Sequence, residues 1–341
     1  MCNMKSRWVA SLVFCSAAAI TFAQQPPDDA LYQPVGSLPE GLKLIEGDIA
    51  VPIAFDETRA TYVEQTLWPT GLVRFQYNPN VSGANRALMR AAMDEWESLA
   101  NVTFVPWTPG SSANYIVILN ATFNASEGIG MLAAPQRVWI NNWNTHGTLV
   151  HELGHVLGYW HEQSRLDSTA YITVNFGNVC QTCCADSGGN PVSCNSQFAL
   201  RTSGDEHGPY DFESVMHYSA CAFSSCATCT PTNAACRTIT VNPAYFNEYQ
   251  SVIGQRNGAS YWDGRVMSYL YSYADWVFVA VDTTGFQLGT FFDPYQGLDT
   301  GMLFSDPGDT LLLLPGSYEA VGRWTEPRRI ESTAGGVFLG N

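Results

Sequence analysis

Between Leu72 and Tyr77 apolar and polar side chains alternate, the two-residue period of a strand with one covered face. From Asn85 to Leu99 the period lengthens. Leu88, Ala92, Trp96 and Leu99 recur at helical spacing, which predicts an amphipathic helix packed on a sheet. Val102 to Val105, Tyr115 to Leu119 and Arg137 to Ile140 are short apolar runs that predict three more strands. A helix carrying His151 and His155 follows, and after His161 the chain becomes loop-rich. A last helix is expected from about Ser260, where Ser260 and Asp263 stand at the spacing of a capping pair. This order predicts an α+β fold, with a mixed, twisted sheet backed by two helices. A cleft is expected along an edge strand, where an extended peptide can add as another strand. Roughly 210 residues suffice for one unit of two lobes.

Composition narrows the setting. The formal net charge is −15, with 16 Lys and Arg against 31 Asp and Glu, which argues against nucleic acid or an anionic membrane as partner. Lys5 and Arg7 precede an apolar run from Trp8 to Phe22, and Thr21-Phe22-Ala23 ends in a small residue, so residues 1–23 are expected to be an export leader. That run is too short for a convincing membrane anchor. Export to an extracellular or periplasmic space follows. Of the 10 cysteines, Cys2 and Cys15 would leave with the leader. The rest are Cys180, Cys183, Cys184, Cys194, Cys221, Cys226, Cys229 and Cys236, an even set that suggests up to four disulfides in an oxidising compartment, with the pairing open. A zinc ribbon from Cys180-x-x-Cys183 and Cys226-x-x-Cys229 is the rival reading. Asn80, Asn101, Asn120 and Asn124 fit the glycosylation acceptor pattern, which matters only in a eukaryotic secretory host.

The chemistry is concentrated in His151-Glu152-Leu153-Gly154-His155-Val156-Leu157-Gly158-Tyr159-Trp160-His161. Four residues apart on a helix, His151 and His155 project from one face about 6 Å apart along the axis, a separation that suits two nitrogens on one metal. Glu152 lies beside the metal but outside its coordination sphere, where a carboxylate can take a proton from bound water. Gly158 can turn the backbone so that His161 supplies a third ligand. Three protein ligands leave a position open, the mark of a catalytic zinc rather than a structural one. Three of the chain's 6 histidines are used here.

The extended motif resembles the metzincin metallopeptidases, and Ser214-Val215-Met216-His217-Tyr218 is similar to their Met-turn. Glu162 after the third histidine, together with Tyr218, resembles the astacin family. Similar segments run across 43–273, among them His146-Gly147-Thr148, Tyr210-Asp211-Phe212-Glu213 and Ile253-Gly254-Gln255-Arg256. The resemblance implies a metzincin two-lobed zinc endopeptidase with one Zn2+ ion per chain, acting on protein or peptide substrates. It implies His151, His155 and His161 as ligands and Glu152 as general base. Tyr218 would be a further ligand at rest that swings aside to stabilise the oxyanion, with a buried core tyrosine as the plainer alternative. Met216 would pack beneath the metal. Glu162 would bind the new amino terminus of the mature enzyme through water, or else be an ordinary helix-end glutamate.

Residues 24–59 are then expected to be a pro-segment. Ile45-Glu46-Gly47-Asp48 matches the family's F-x-G-D run with isoleucine in place of phenylalanine, and Asp48 would ligate zinc in the zymogen. Arg59-Ala60 offers a cut site for an activating trypsin-like protease. The expected catalytic domain is 60–273. It departs from its relatives in having no cysteine in its amino-terminal half, with Trp143 where relatives carry one. Its cysteines instead flank the Met-turn, as stapled loops beside the primed side of the cleft or as inert stability devices. Residues 276–341 are a small β-rich segment whose Gly285 to Thr290 and Pro307 to Tyr318 runs resemble the opening coil of a pectin-lyase-like β-helix. The rival function is a non-catalytic exported protein that uses the zinc fold only to bind.

Overall fold

A computed structural model describes residues 38–53, 67–133, 135–185, 190–201, 206–271, 276–281, 294–305, 309–314, 316–319, 328–332 and 337–339. The expected leader at 1–23, the Arg59-Ala60 cut site and the Gly285 to Thr290 run lie outside the described residues.

The upper lobe is built on strands β1 (Leu42–Ile45), β2 (Ile49–Pro52) and β3 (Leu72–Tyr77), helix α1 (Gly83–Leu99), then β4 (Thr103–Pro106), β5 (Ile116–Asn120), β6 (Ala125–Glu127), β7 (Gln136–Ile140) and helix α2 (His146–Leu157). The strands form one mixed sheet in the order β1-β2-β6-β7-β5-β3-β4. The centre is parallel, while β6 runs antiparallel to β7. The β1–β2 hairpin extends the sheet beyond β6, with β2 parallel to β6 and Ile49 opposite Ser126. A peptide added at the edge of β6 would therefore compete with β2 for the same backbone groups.

Helix α1 begins at Ser82, whose side chain accepts from the Asn85 N–H. Its covered stripe is Met89, Ala92, Met93 and Trp96. Leu88, expected on that face, is 37% exposed instead, because it lies one residue and about 100° away from the stripe that Met89 opens. The Trp96 indole donates to the Val150 carbonyl at 3.0 Å and the Trp68 indole to Val156 at 2.8 Å, so two buried tryptophans tie the lobe to α2. Every residue of α2 from Gly147 to Leu157 is buried. A Cβ at Gly154 would lie 2.7 Å from Met216 Sδ, so glycine lets the helix rest on the chain beneath it. Gly158 ends the helix at φ 120°, a conformation that favours glycine.

The lower lobe has little regular structure. Strands β8 (Ile172–Val174) and β11 (Ile239–Val241) pair antiparallel, and between them in sequence lies a small ladder of β9 (Cys184–Ala185) and β10 (Pro191–Val192). Ile172, Val179, Phe198, Tyr210, Phe212, Tyr218, Ile239 and Ile253 share its core. Disulfides join Cys180 to Cys183, Cys184 to Cys194, Cys221 to Cys229 and Cys226 to Cys236. All eight thiols are thereby used, so the zinc-ribbon reading is excluded. Helix α3 (Phe246–Tyr249) is short, and α4 (Tyr261–Leu270) starts with the expected capping box of Ser260 and Asp263.

Beyond α4, β12 (Trp276–Ala280), β13 (Tyr295–Gln296), helix α5 (Leu298–Phe304), β14 (Thr310–Leu313), β15 (Gly316–Tyr318), β16 (Arg329–Ser332) and β17 (Val337–Leu339) form two small sheets whose strand pairs are all parallel. Phe278, Ala280, Leu312 and Leu314 of this segment pack on Trp262 of α4. Among the described residues no helix is long and apolar enough to cross a membrane.

Candidate metal centre

The three motif histidines converge between the lobes, with ring centroids 4.7 to 5.1 Å apart. Each uses its Nδ1 elsewhere. His151 Nδ1 is 2.7 Å from the Val215 carbonyl, His155 Nδ1 is 2.7 Å from the Tyr159 carbonyl, and His161 Nδ1 is 2.7 Å from Glu46 Oε2. Nδ1–H donation to these acceptors fixes the tautomer and leaves three Nε2 lone pairs facing inward, as metal ligation requires.

Asp48 closes the fourth side. Its Oδ2 is 3.1 Å from His151 Nε2, and its Oδ1 is 3.2 Å from His161 Nε2 and 3.5 Å from His155 Nε2. One ligand atom from each of the four residues lies within 4.8 Å of all the others. Asp48 Oδ1, His155 Nε2, Glu152 Oε2 and Tyr218 OH are buried and have no hydrogen-bond partner, a costly arrangement unless an ion sits among them. Three imidazoles and a carboxylate are the donor set of a tetrahedral zinc. The residues fit the ion.

The fields here are strong. Burial alone would raise Asp48, but the charge of His161 and the close approach of the three histidine rings hold it well below the usual carboxylate range. Burial, and then the charge of Asp48, push Glu152 well above that range. Burial lowers His151 to about 3. For His161 burial acts in the same sense, but Asp48 and then Glu46 carry it up to about 9. Two neighbouring carboxyl groups thus have opposite proton affinities.

The floor of the site is Ser214 to Tyr218. Asp263 of α4 holds it, accepting from the Ser214 hydroxyl at 2.6 Å and from Val215 N at 2.8 Å. Met216 is buried, and its Sδ is the atom that a Cβ on Gly154 of the metal-binding helix would meet. Tyr218 N donates to Gln163 Oε1 at 2.9 Å, and its ring lies 4.7 Å from that of His161. Burial raises its phenol well above the ordinary value.

Glu162 lines a second pocket together with Trp160, His161, Arg201, Asp211 and Trp262. Its Oε1 accepts from Asp211 N at 2.8 Å and lies 3.4 Å from Arg165. Burial is the main reason it is pushed up to about 8. The eight cysteines hold loops on the opposite side, where the Cys180 N–H donates to the Phe223 carbonyl at 2.8 Å and Phe223 lines the cleft beside Tyr218. Sequence reasoning missed Glu46, Arg201 and Phe223. Glu46 was visible inside the Ile45 to Asp48 run, whereas Arg201 and Phe223 carry no local signal.

Residues 60–272 match the family model for Astacin, a peptidase family. The zinc metalloproteinase nas-39 of Caenorhabditis elegans is 30% identical over 257 residues, covering 74% of this chain and 25% of that protein. Bone morphogenetic protein 1 of Xenopus laevis is 31% identical over 173 residues, covering 50% of this chain and 23% of that protein. The chain therefore spans about a quarter of the length of these curated relatives. Among solved structures, High choriolytic enzyme 1, a hatching enzyme zinc-protease from medaka (Oryzias latipes), is 27% identical with a TM-score of 0.49, covering 61% of this chain and 93% of that one.

Proposed function

The chain belongs to the astacin family of zinc peptidases, and on that footing we propose that it is an exported endopeptidase made as a zymogen and acting on protein or peptide substrates. The observation that carries this reading is the convergence of three histidine Nε2 atoms, Glu152 and Asp48 on one point.

His151, His155 and His161 would hold the zinc. Bound there, it would supply a Lewis acid for the scissile carbonyl and lower the pKa of a coordinated water. Glu152, next to the ligand His151 and with its Oε2 uncommitted, suits a base that takes the proton of that water and passes it to the leaving amine. Tyr218, neutral and with its hydroxyl uncommitted, suits a donor to the developing oxyanion. Met216 supports the site from below. These side chains are already oriented by Val215, Tyr159 and Gln163, so little ordering remains for the reaction itself.

Latency has two supports. Asp48 occupies the position the attacking water would need, and β2 occupies the edge of β6 that an extended substrate would pair with. Both belong to residues upstream of the family match, in keeping with a pro-segment at 24–59 and a catalytic unit at 60–273. A trypsin-like cut at Arg59-Ala60 would release an ammonium group. The pocket at Glu162 offers it a buried carboxyl that gains by ionising beside a cation. Four disulfides and the apolar leader favour export to an extracellular or periplasmic space. The described strands after α4 pack on Trp262 and read as an appendage to that helix.

The test is hydrolysis of a quenched-fluorescent peptide library by residues 24–341 before and after limited trypsin, with the trypsin then inhibited. Activity is expected only after the cut. It should vanish with a zinc chelator and fall at least roughly a thousandfold in Glu152→Gln with zinc still bound. A cut chain with an Ala60 terminus and full zinc that cleaves nothing would instead support the non-catalytic binding protein.

A further inference from the structure

Asp48 is one of two carboxylates on the same turn. Two residues earlier, Glu46 is completely buried and reaches the far side of the third histidine. His161 is thus gripped at both ring nitrogens, by Asp48 at Nε2 (3.2 Å) and by Glu46 at Nδ1 (2.7 Å). The other Glu46 oxygen accepts from Arg201 Nε, and the Ser164 hydroxyl lies 3.3 Å from Oε2. Arg201 is itself buried, its guanidinium 4.9 Å from the Trp160 ring centroid and its backbone N–H fixed to the Ser164 carbonyl at 2.7 Å. This is a built receptor for a carboxylate, since a guanidinium flanked by an aromatic face and a hydroxyl suits no apolar side chain.

The hairpin strains to reach it. Glu46 has φ 47°, in the left-handed region that non-glycine residues avoid. Gly47 follows at φ 81° with its N–H donated to Gln197 Oε1 at 2.8 Å, and a Cβ there would lie 2.7 Å from Phe223 Cζ. A turn so constrained persists only where its surroundings over-determine it.

We propose that Glu46 is a second latch of the zymogen, independent of the metal, and that Arg201 is the catalytic unit's anchor for it. The proposal rests on the pro-segment reading above. Asp48 would bind through zinc, whereas Glu46 would bind through Arg201 and hold the His161 ring from behind. Latency then has a metal-dependent part and a metal-independent part on one three-residue turn. Glu46 acts here as a positioning residue.

Hydrogen–deuterium exchange of the 42–51 amides in the uncut chain separates the parts, with zinc bound and with zinc stripped. Glu46→Gln keeps shape and removes charge, and it should speed exchange at least roughly tenfold in both states, since a broken buried pair leaves its partner unpaired. Asp48→Ala should speed exchange more with zinc bound than with zinc stripped, where only its direct contacts with the histidines are lost. Arg201→Gln should match Glu46→Gln, and the double variant should be no faster than either single one, because both remove the same interaction. Uncut Glu46→Gln should also show hydrolysis above the parent's baseline. Exchange in Glu46→Gln equal to the parent in both metal states would overturn the second latch. So would fully additive effects of the two substitutions. Should Arg201→Gln fail to fold, the Glu46→Gln comparison decides alone. If Asp48→Ala changes nothing while Glu46→Gln loosens the hairpin, the zinc-blocking role of Asp48 fails and the second latch stands.

Discussion

The two lobes reach order by different means. The upper lobe contains no cysteine, and its seven-stranded sheet and two helices bury a core that includes Trp68, Met89, Met93, Trp96, Ile116, Ile118 and Leu153. The lower lobe has two three-residue strands in its main ladder and compensates with four disulfides of sequence separation 3 to 10. Metal ligands from a helix need a rigid support, which packing supplies. A cleft wall that must fit a substrate can be irregular, provided cross-links limit its freedom. The site thus joins a packed half to a stapled half, and each half should fail in its own way.

The sharpest break is expected from Trp96→Ala. It removes a fully buried indole and its bond to α2, so stability should fall by about 3–5 kcal/mol in urea melts, with zinc affinity falling alongside. Losing one staple should cost less. Cys221→Ser with Cys229→Ser should lower stability by about 2–3 kcal/mol, and hydrogen exchange should rise in 221–236 while α1 and α2 stay protected. Equal loosening of both lobes would refute the division. Tyr218→Phe tests the lower lobe's chemical share. With packing intact, kcat of the cut enzyme should fall about tenfold to a hundredfold, with KM little changed.

The smallest effect concerns the seam between the lobes. Burial, then the charge of Asp263, push Asp211 up to about 7. The folded chain therefore holds this proton more tightly than the unfolded one. That contribution is complete below about pH 4 and is lost as pH rises through 7. Urea melts of the uncut chain should show stability declining across that window, and Asp211→Asn should flatten the slope.

The upper lobe was also the more legible half. Strand β3 and helix α1 followed from periodicity, β4, β5 and β7 from short apolar runs, and α2 from the histidine motif. The Ser260 and Asp263 cap was likewise readable, being a local pattern. Helical geometry sets His151, Glu152 and His155 together almost unaided, and the turn at Gly158 leads the chain on to His161. What escaped was non-local. The β1–β2 hairpin and β6 are four, four and three residues long, and they pair across more than 70 positions, Ile49 with Ser126. Eight cysteines were legible as a set but not as pairs. Arg201 lies in an irregular stretch, and only the fold sets it against Glu46, 155 positions away. Helix α1 itself was foreseen with one wrong contact, because Leu88 and Met89 are equally apolar and only the packed neighbours choose between them.

Asp263 does more than cap a helix. Its carboxylate binds the Ser260 and Val215 amides and the Ser214 hydroxyl, and the Val215 carbonyl in turn steers His151. Helix α4, which carries Asp263, also presents Trp262 to the carboxy-terminal sheet. Whatever load the end of the chain bears is thus mechanically in series with a metal ligand. A cargo fused after residue 341, or a tether fixing the chain to a surface, would hold the enzyme by a handle wired to its own metal, and the zinc dissociation rate would serve as the strain gauge.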